Sequence, residues 1–167
     1  MKNESNRRKF LNYTVSGAGA VAGALALGSA ATAPAKKEKP TKKVITRPGQ
    51  PITSTSIVSP GIQFGNLLFV SGAGAHDPET HKVVPGPISN QVRQCLENLK
   101  TVIETAGSSM DKVLKCNVFL VDIADFKAMN EVYHTFFPTN PPARSTVAVK
   151  ELPGNSPVEI ECIAYVD

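Results

Sequence analysis

Pro142-Ala143-Arg144-Ser145-Thr146-Val147 and, beyond Leu152-Pro153, Val158-Glu159-Ile160-Glu161-Cys162-Ile163-Ala164 are the two runs on which the reading of this chain turns. Both alternate like strands, and the Pro153-Gly154 turn between them predicts a closing hairpin over 143–149 and 158–166. Pairing Val149 with Val158 sets Arg144 opposite Ile163, Thr146 opposite Glu161 and Ala148 opposite Glu159. Arg144, Glu159 and Glu161 then share one face. Charges on a sheet need a partner or a task. One reading is a diagonal Arg144–Glu161 salt bridge. The other is a clamp, in which Arg144 holds a small carboxylate and a glutamate handles water or protons. A glutamate beside arginine has a lowered pKa, which makes it a base or a water positioner.

Working back from this pair, Val113 to Val121 reads as a strand, with Leu114, Cys116, Val118 and Leu120 on one side and Phe119 and Val121 on the other. Asp122 is placed to cap a helix over about 123–137, whose apolar residues are Phe126, Met129, Val132, Tyr133, Phe136 and Phe137. Upstream, Ile88, Val92, Cys95, Leu96, Leu99, Val102, Ile103 and Ala106 recur at three- and four-residue steps and predict a helix over 88–106, stopped by Gly107. Ile62-Gln63-Phe64 and Leu67-Leu68-Phe69-Val70-Ser71 flank Gly65-Asn66 as a hairpin. The order β-β-(β)-α-β-α-β-β predicts an α+β fold, a single mixed sheet with two helices packed on one face. The other face keeps apolar residues beside its charges, which argues for an oligomer.

Charge divides the chain. Residues 1–33 carry Lys2, Arg7, Arg8 and Lys9 against Glu4, and residues 34–47 carry Lys36, Lys37, Lys39, Lys42, Lys43 and Arg47 against Glu38. Residues 48–167 hold 8 basic and 12 acidic side chains, a net of −4. The basic balance therefore belongs to the N-terminus, and the folded part offers no electrostatic footprint for nucleic acid. Asn6-Arg7-Arg8-Lys9-Phe10-Leu11 followed by an uncharged Gly/Ala-rich stretch predicts a twin-arginine signal peptide over 1–33, cleaved near Ala30–Ala35. The expected location is periplasmic or secreted, with no stable membrane insertion after cleavage. Residues 34–47 read as a basic disordered spacer, and 48–167 as one domain.

Cys95, Cys116 and Cys162 have no metal-ligand spacing and fall on apolar faces, so buried free thiols are expected. His76-Asp77-Pro78-Glu79-Thr80-His81 reads as a loop whose spacing fits no metal site. Gly72 and Gly74 either let a ligand approach the backbone or serve a turn.

From about residue 57 onward the chain resembles the Rid family of reactive intermediate deaminases. The matching residues are Phe69-Val70-Ser71-Gly72, Gln91-x-Arg93-Gln94-x-Leu96-x-Asn98, Val118-Phe119-Leu120-x-Asp122-x-x-Asp125-Phe126-x-x-x-Asn130-x-x-Tyr133, Pro142-Ala143-Arg144-Ser145 and Val158-Glu159-Ile160-Glu161-x-Ile163-Ala164. The resemblance implies a chorismate-mutase-like fold and a homotrimer with ligand clefts between subunits. It implies hydrolysis of 2-imino acids to 2-keto acids and ammonia without cofactor or metal. It assigns the substrate carboxylate to Arg144 and the hydrolytic water to Glu159, with Ser71, Gly72, Asn130 and Thr146 lining the cleft. Two positions depart from the family's deaminases, which carry Tyr where Gly61 follows Pro60 and often Cys where this chain has Thr146. The export signal is a third departure. The alternative is a non-catalytic module of the same fold that binds a small carboxylate.

Overall fold

The computed structural model describes residues 39–167. The expected signal peptide over 1–33 lies outside the described residues, as do residues 34–38 of the expected spacer. Eight regular elements follow in order: β1 (Lys42–Ile45), β2 (Gly61–Phe64), β3 (Leu67–Gly74), α1 (Ile88–Thr105), β4 (Val113–Leu120), α2 (Phe126–Phe136), β5 (Ala143–Ala148) and β6 (Val158–Tyr165). They form an α+β fold with one mixed six-stranded sheet in the order β1-β2-β3-β6-β4-β5. β1 is a correction to the sequence reading. The composition of 34–47 predicts a disordered spacer, yet Lys42–Ile45 pairs antiparallel with β2, and Ile45 is buried. The lysines of this short edge strand stay in solvent, as suits an edge.

α1 shows why this stretch is helical. Val92, Cys95, Leu96, Leu99, Val102 and Ile103 make one buried stripe, and Gly107 ends the helix at φ 81. Asp122 caps the next segment, its carboxylate accepting from the Ala124 amide at 2.9 Å. A short turn, Ile123–Asp125, then leads into α2, which buries Met129, Val132 and Tyr133. Both helices cover the side of the sheet that carries Leu68, Val70, Cys116, Val118, Ile160 and Cys162. All three cysteines are buried and free, and Cys116 registers directly with Cys162.

The expected closing hairpin does not form. β5 pairs parallel with β4, and β4 lies between β5 and β6. The physical reason is that β4 buries alternate residues against the helices and half-covers the others, so a central place suits it. Pairing β5 directly with β6 would leave β4 at an edge. A register shift between Val113 and Lys115 also turns Leu114 outward, to 47% exposure, although alternation placed it with Cys116.

Among the described residues no helix covers the second sheet face. Phe69 and Val147 are 43% and 48% exposed there, next to half-buried Phe119 and Ile163. No helix among the described residues is long and apolar enough to cross a membrane.

Candidate active site

Glu159 stands on the uncovered face, half-buried, at one wall of a cleft of about 390 Å³. The opposite wall is the β3 segment Gly72-Ala73-Gly74, and Gly74 registers with Glu159. The β3–β6 ladder breaks between Val70 and Ala73, and this bulge brings Gly72 beneath the carboxylate. A Cβ at Gly72 would overlap Glu159 Oε1, so only glycine leaves the carboxylate where it is. Gly72 therefore serves close approach.

His76 completes this wall. Its Nε2 lies 3.0 Å from the Gly154 carbonyl oxygen, which only accepts, so the bond places the proton on Nε2. Nδ1 lies close over Gly74. Asn98 on α1 fixes the strand end by donating from Nδ2 to the Gly74 and His76 carbonyls at 3.1 and 2.8 Å. Burial pushes the Glu159 carboxyl above the usual carboxylate range, the nearby Glu161 charge adds to this, and His76 opposes it. The lowered pKa expected from an adjacent arginine is thus reversed within this chain. Glu161 is engaged elsewhere, accepting from Asn117 Nδ2 at 2.7 Å.

Arg144 lies on the other face. It registers with Cys116, which in turn registers with Cys162 on the helix-covered side, whereas Glu159 registers with Phe119 on the uncovered side. The expectation that Arg144, Glu159 and Glu161 share a face is therefore wrong, because the inserted β4 removes the pairing on which it rested. The Arg144–Glu161 salt bridge is absent among the described residues, where the ion pairs are Lys100–Glu97 and Lys112–Asp167. Arg144 Nη2 instead donates to Asn130 Oδ1 at 2.6 Å. Its guanidinium stacks 4.5 Å from the Tyr133 ring centroid and 5.7 Å from that of Phe126. The guanidinium is held flat, has no carboxylate partner among the described residues, and faces a second, open cavity lined by Asn130, Tyr133, His134, Phe137, Pro141 and Pro142. Such a rigid fork suits a carboxylate.

The remaining expected site residues, Ser71 and Thr146, lie in the strand framework. Ser71 donates from Oγ to the Ser59 carbonyl at 2.7 Å and so ties the preceding loop to β3. Thr146 registers with Val118, and its Oγ1 is buried without a hydrogen-bond partner. Neither residue lines the cavity at Glu159 or the one at Arg144. The sequence reading gave no role to His76, Gly154 or Arg47, which line the Glu159 cleft from distant loops. The Gly-rich run Gly72–Gly74 was the one signal pointing there.

Comparison with known proteins follows the same outline. A family model described as Endoribonuclease L-PSP matches residues 50–166. A RutC family protein of Pyrococcus horikoshii is 47% identical over 107 residues, covering 64% of this chain and 85% of its own. A 2-iminobutanoate/2-iminopropanoate deaminase of Dermatophagoides farinae is 40% identical over 128 residues, covering 75% and 98%. Among solved structures, E. coli TdcF with bound serine superposes with a TM-score of 0.68 at 34% identity, covering 75% of this chain and 99% of TdcF. With a family model spanning most of its length and relatives matched over most of theirs, this chain belongs to the Rid/RutC (L-PSP) family.

Proposed function

We propose that the protein hydrolyses 2-imino acids to 2-oxo acids and ammonia, in sites shared between subunits of a homotrimer. The observation that carries this reading is the separation of Arg144 from Glu159. One chain holds a rigid carboxylate clamp on one face and the Glu159 carboxylate on the other, so a complete site needs a second copy. The exposed apolar face beside Glu159 is the surface such a copy would cover. Two kinds of relative support the chemistry: one is named as an imino-acid deaminase, and TdcF was crystallised with an amino acid bound.

In this mechanism Arg144 of a neighbouring copy binds the substrate carboxylate and orients the C=N carbon toward Glu159. Glu159 takes a proton from water as its oxygen adds to that carbon, and passes the proton to the imine nitrogen, which regenerates the carboxylate. The resulting carbinolamine carries hydroxyl and amino groups on one carbon. Loss of ammonia with transfer of the hydroxyl proton leaves the 2-oxo acid. The substrate is already electrophilic, so positioning and charge neutralisation supply the catalysis. The net charge of −4 over residues 48–167 does not supply the cationic surface that RNA binding draws on. Export to the periplasm or beyond is part of the proposal and rests on Arg7-Arg8 and the segment that follows.

The test is ammonia release from imino acids generated in situ by an amino-acid oxidase. Acceleration by the protein, lost in Glu159→Gln while a 2-oxo acid still binds, supports an enzyme. Binding without acceleration in the parent protein leaves the carboxylate-binding module. Replacing Arg7 and Arg8 by Lys is expected to stop export in a bacterial host. Unchanged export would remove the twin-arginine route.

A further inference from the structure

The Glu159 cleft extends past Gly72 and Gly74 to Arg47. This residue sits just beyond β1, at a turn closed by the Gln50 amide donating to the Arg47 carbonyl at 3.0 Å. Gly49 occupies the left-handed region there at φ 71, so the backbone at Arg47 is held in a tight reversal. The side chain is half-buried, and burial lowers its pKa, although a guanidinium stays charged throughout the accessible range. Among the described residues it makes neither a side-chain hydrogen bond nor an ion pair: the salt bridges are Lys100–Glu97 and Lys112–Asp167.

The other charges around the cleft do not answer it. Asp77 is committed to its own loop, Oδ1 accepting from the Glu79 amide, the Thr80 amide and the Thr80 hydroxyl at 3.1, 2.7 and 3.0 Å. Burial and the Glu161 charge raise the Glu159 carboxyl above the usual carboxylate range, with His76 opposing, and Glu159 forms no ion pair with Arg47 among the described residues. The cleft therefore carries a permanent, partly desolvated cation at one end and a proton-handling carboxylate further in. A partly buried charge without a partner is costly, and an anionic ligand group removes that cost.

We infer that Arg47 is an anion subsite of the Glu159 cleft and that the substrate is a 2-imino dicarboxylic acid of four or five carbons. The inference rests on the proposed deaminase reading. There Arg144 of the neighbouring copy takes the carboxylate next to the imine, and Arg47 takes the one on the side chain. Two guanidiniums at one site match two carboxylates, each in a planar fork geometry. A cleft of about 390 Å³ has room for such a ligand. The reactions that would supply it are oxidations of acidic amino acids at the amino carbon.

The full chain is assayed with imino acids made in situ from glutamate or aspartate and from alanine or 2-aminobutanoate. The expected kcat/KM favours the dicarboxylic substrates by about 10-fold or more, and Arg47→Gln lowers that ratio by about 30-fold, as loss of a charge-assisted contact does. Arg47→Lys falls between the two. Calorimetric binding of 2-oxoglutarate against 2-oxobutanoate gives the same ratio without turnover. A parent protein that prefers monocarboxylic ligands, or a ratio unmoved by Arg47→Gln, overturns the subsite. If no imino acid is turned over, the deaminase reading fails, while the binding ratio and its response to Arg47→Gln still decide the subsite.

Discussion

Arg144 and Glu159 sit on opposite faces of the same sheet, although each lies on a strand that is hydrogen-bonded to β4. Arg144 reaches down among α2 side chains, and Glu159 stands over the glycines of β3. The chemistry proposed for the chain needs both at one substrate.

The guanidinium of Arg144 is fixed by Asn130 and by the Tyr133 and Phe126 rings. Arg144→Lys keeps the charge but loses the fork and the stacking. It is expected to lower kcat/KM by about 100-fold or more, mostly through KM, with the circular dichroism spectrum unchanged. A lysine variant as active as the parent would remove the bidentate clamp.

Gly72→Ala places a methyl group where Glu159 Oε1 lies. The carboxylate must then swing away from the water it positions. The expected outcome is a fall in kcat of about 100-fold with a smaller change in KM.

Glu159 binds its proton more tightly in the folded chain than in the unfolded one, because burial raises its pKa. Stability then falls as pH rises from the ordinary carboxylate range through the folded value, since the folded state must surrender that proton. Glu159→Gln has no such loss. It should melt above the parent at pH 7, with the gap closing at pH values below the ordinary carboxylate pKa. In an Arg144→Ala background the gap widens, because a neighbour's guanidinium no longer offsets the charge. Thermal melts across pH check both statements.

The hydroxyl of Thr146 is buried without a partner. Thr146→Val replaces it with a methyl of similar size. The expected gain is about 1 kcal/mol of unfolding free energy, read from denaturant midpoints at constant slope. A loss instead would mean that the hydroxyl is hydrogen-bonded in solution.

Much of this arrangement was legible in the sequence, and the failures share one cause. The stripe from Val92 to Ile103 named α1, and Asp122 named the start of the segment leading to α2. Strand alternation correctly placed Glu159 with Glu161, and Arg144 with Thr146. It says nothing about which strands are neighbours. A Pro-Gly turn permits direct pairing of β5 and β6 as readily as the entry of β4 between them, and that entry moved Arg144 to the other face. The Leu114 bulge was hidden for the same reason, since its apolar side chain fits either pattern. Arg47, His76 and Gly154 meet only through tertiary folding, from three loops with no common motif. Motif resemblance did single out Arg144 and Glu159, but it carries no distances, so their separation within one chain was not visible.

The shared site is tested most directly by co-expressing two inactive variants, Arg144→Ala and Glu159→Gln, and assaying the mixed oligomers. Each interface between copies then has a chance of combining an intact Arg144 from one variant with an intact Glu159 from the other. With equal, random mixing, about one quarter of parental deaminase activity should return, because each of the two intact residues is present with a chance of one half. Activity no higher than that of the separate variants would contradict a site built from Arg144 of one copy and Glu159 of another.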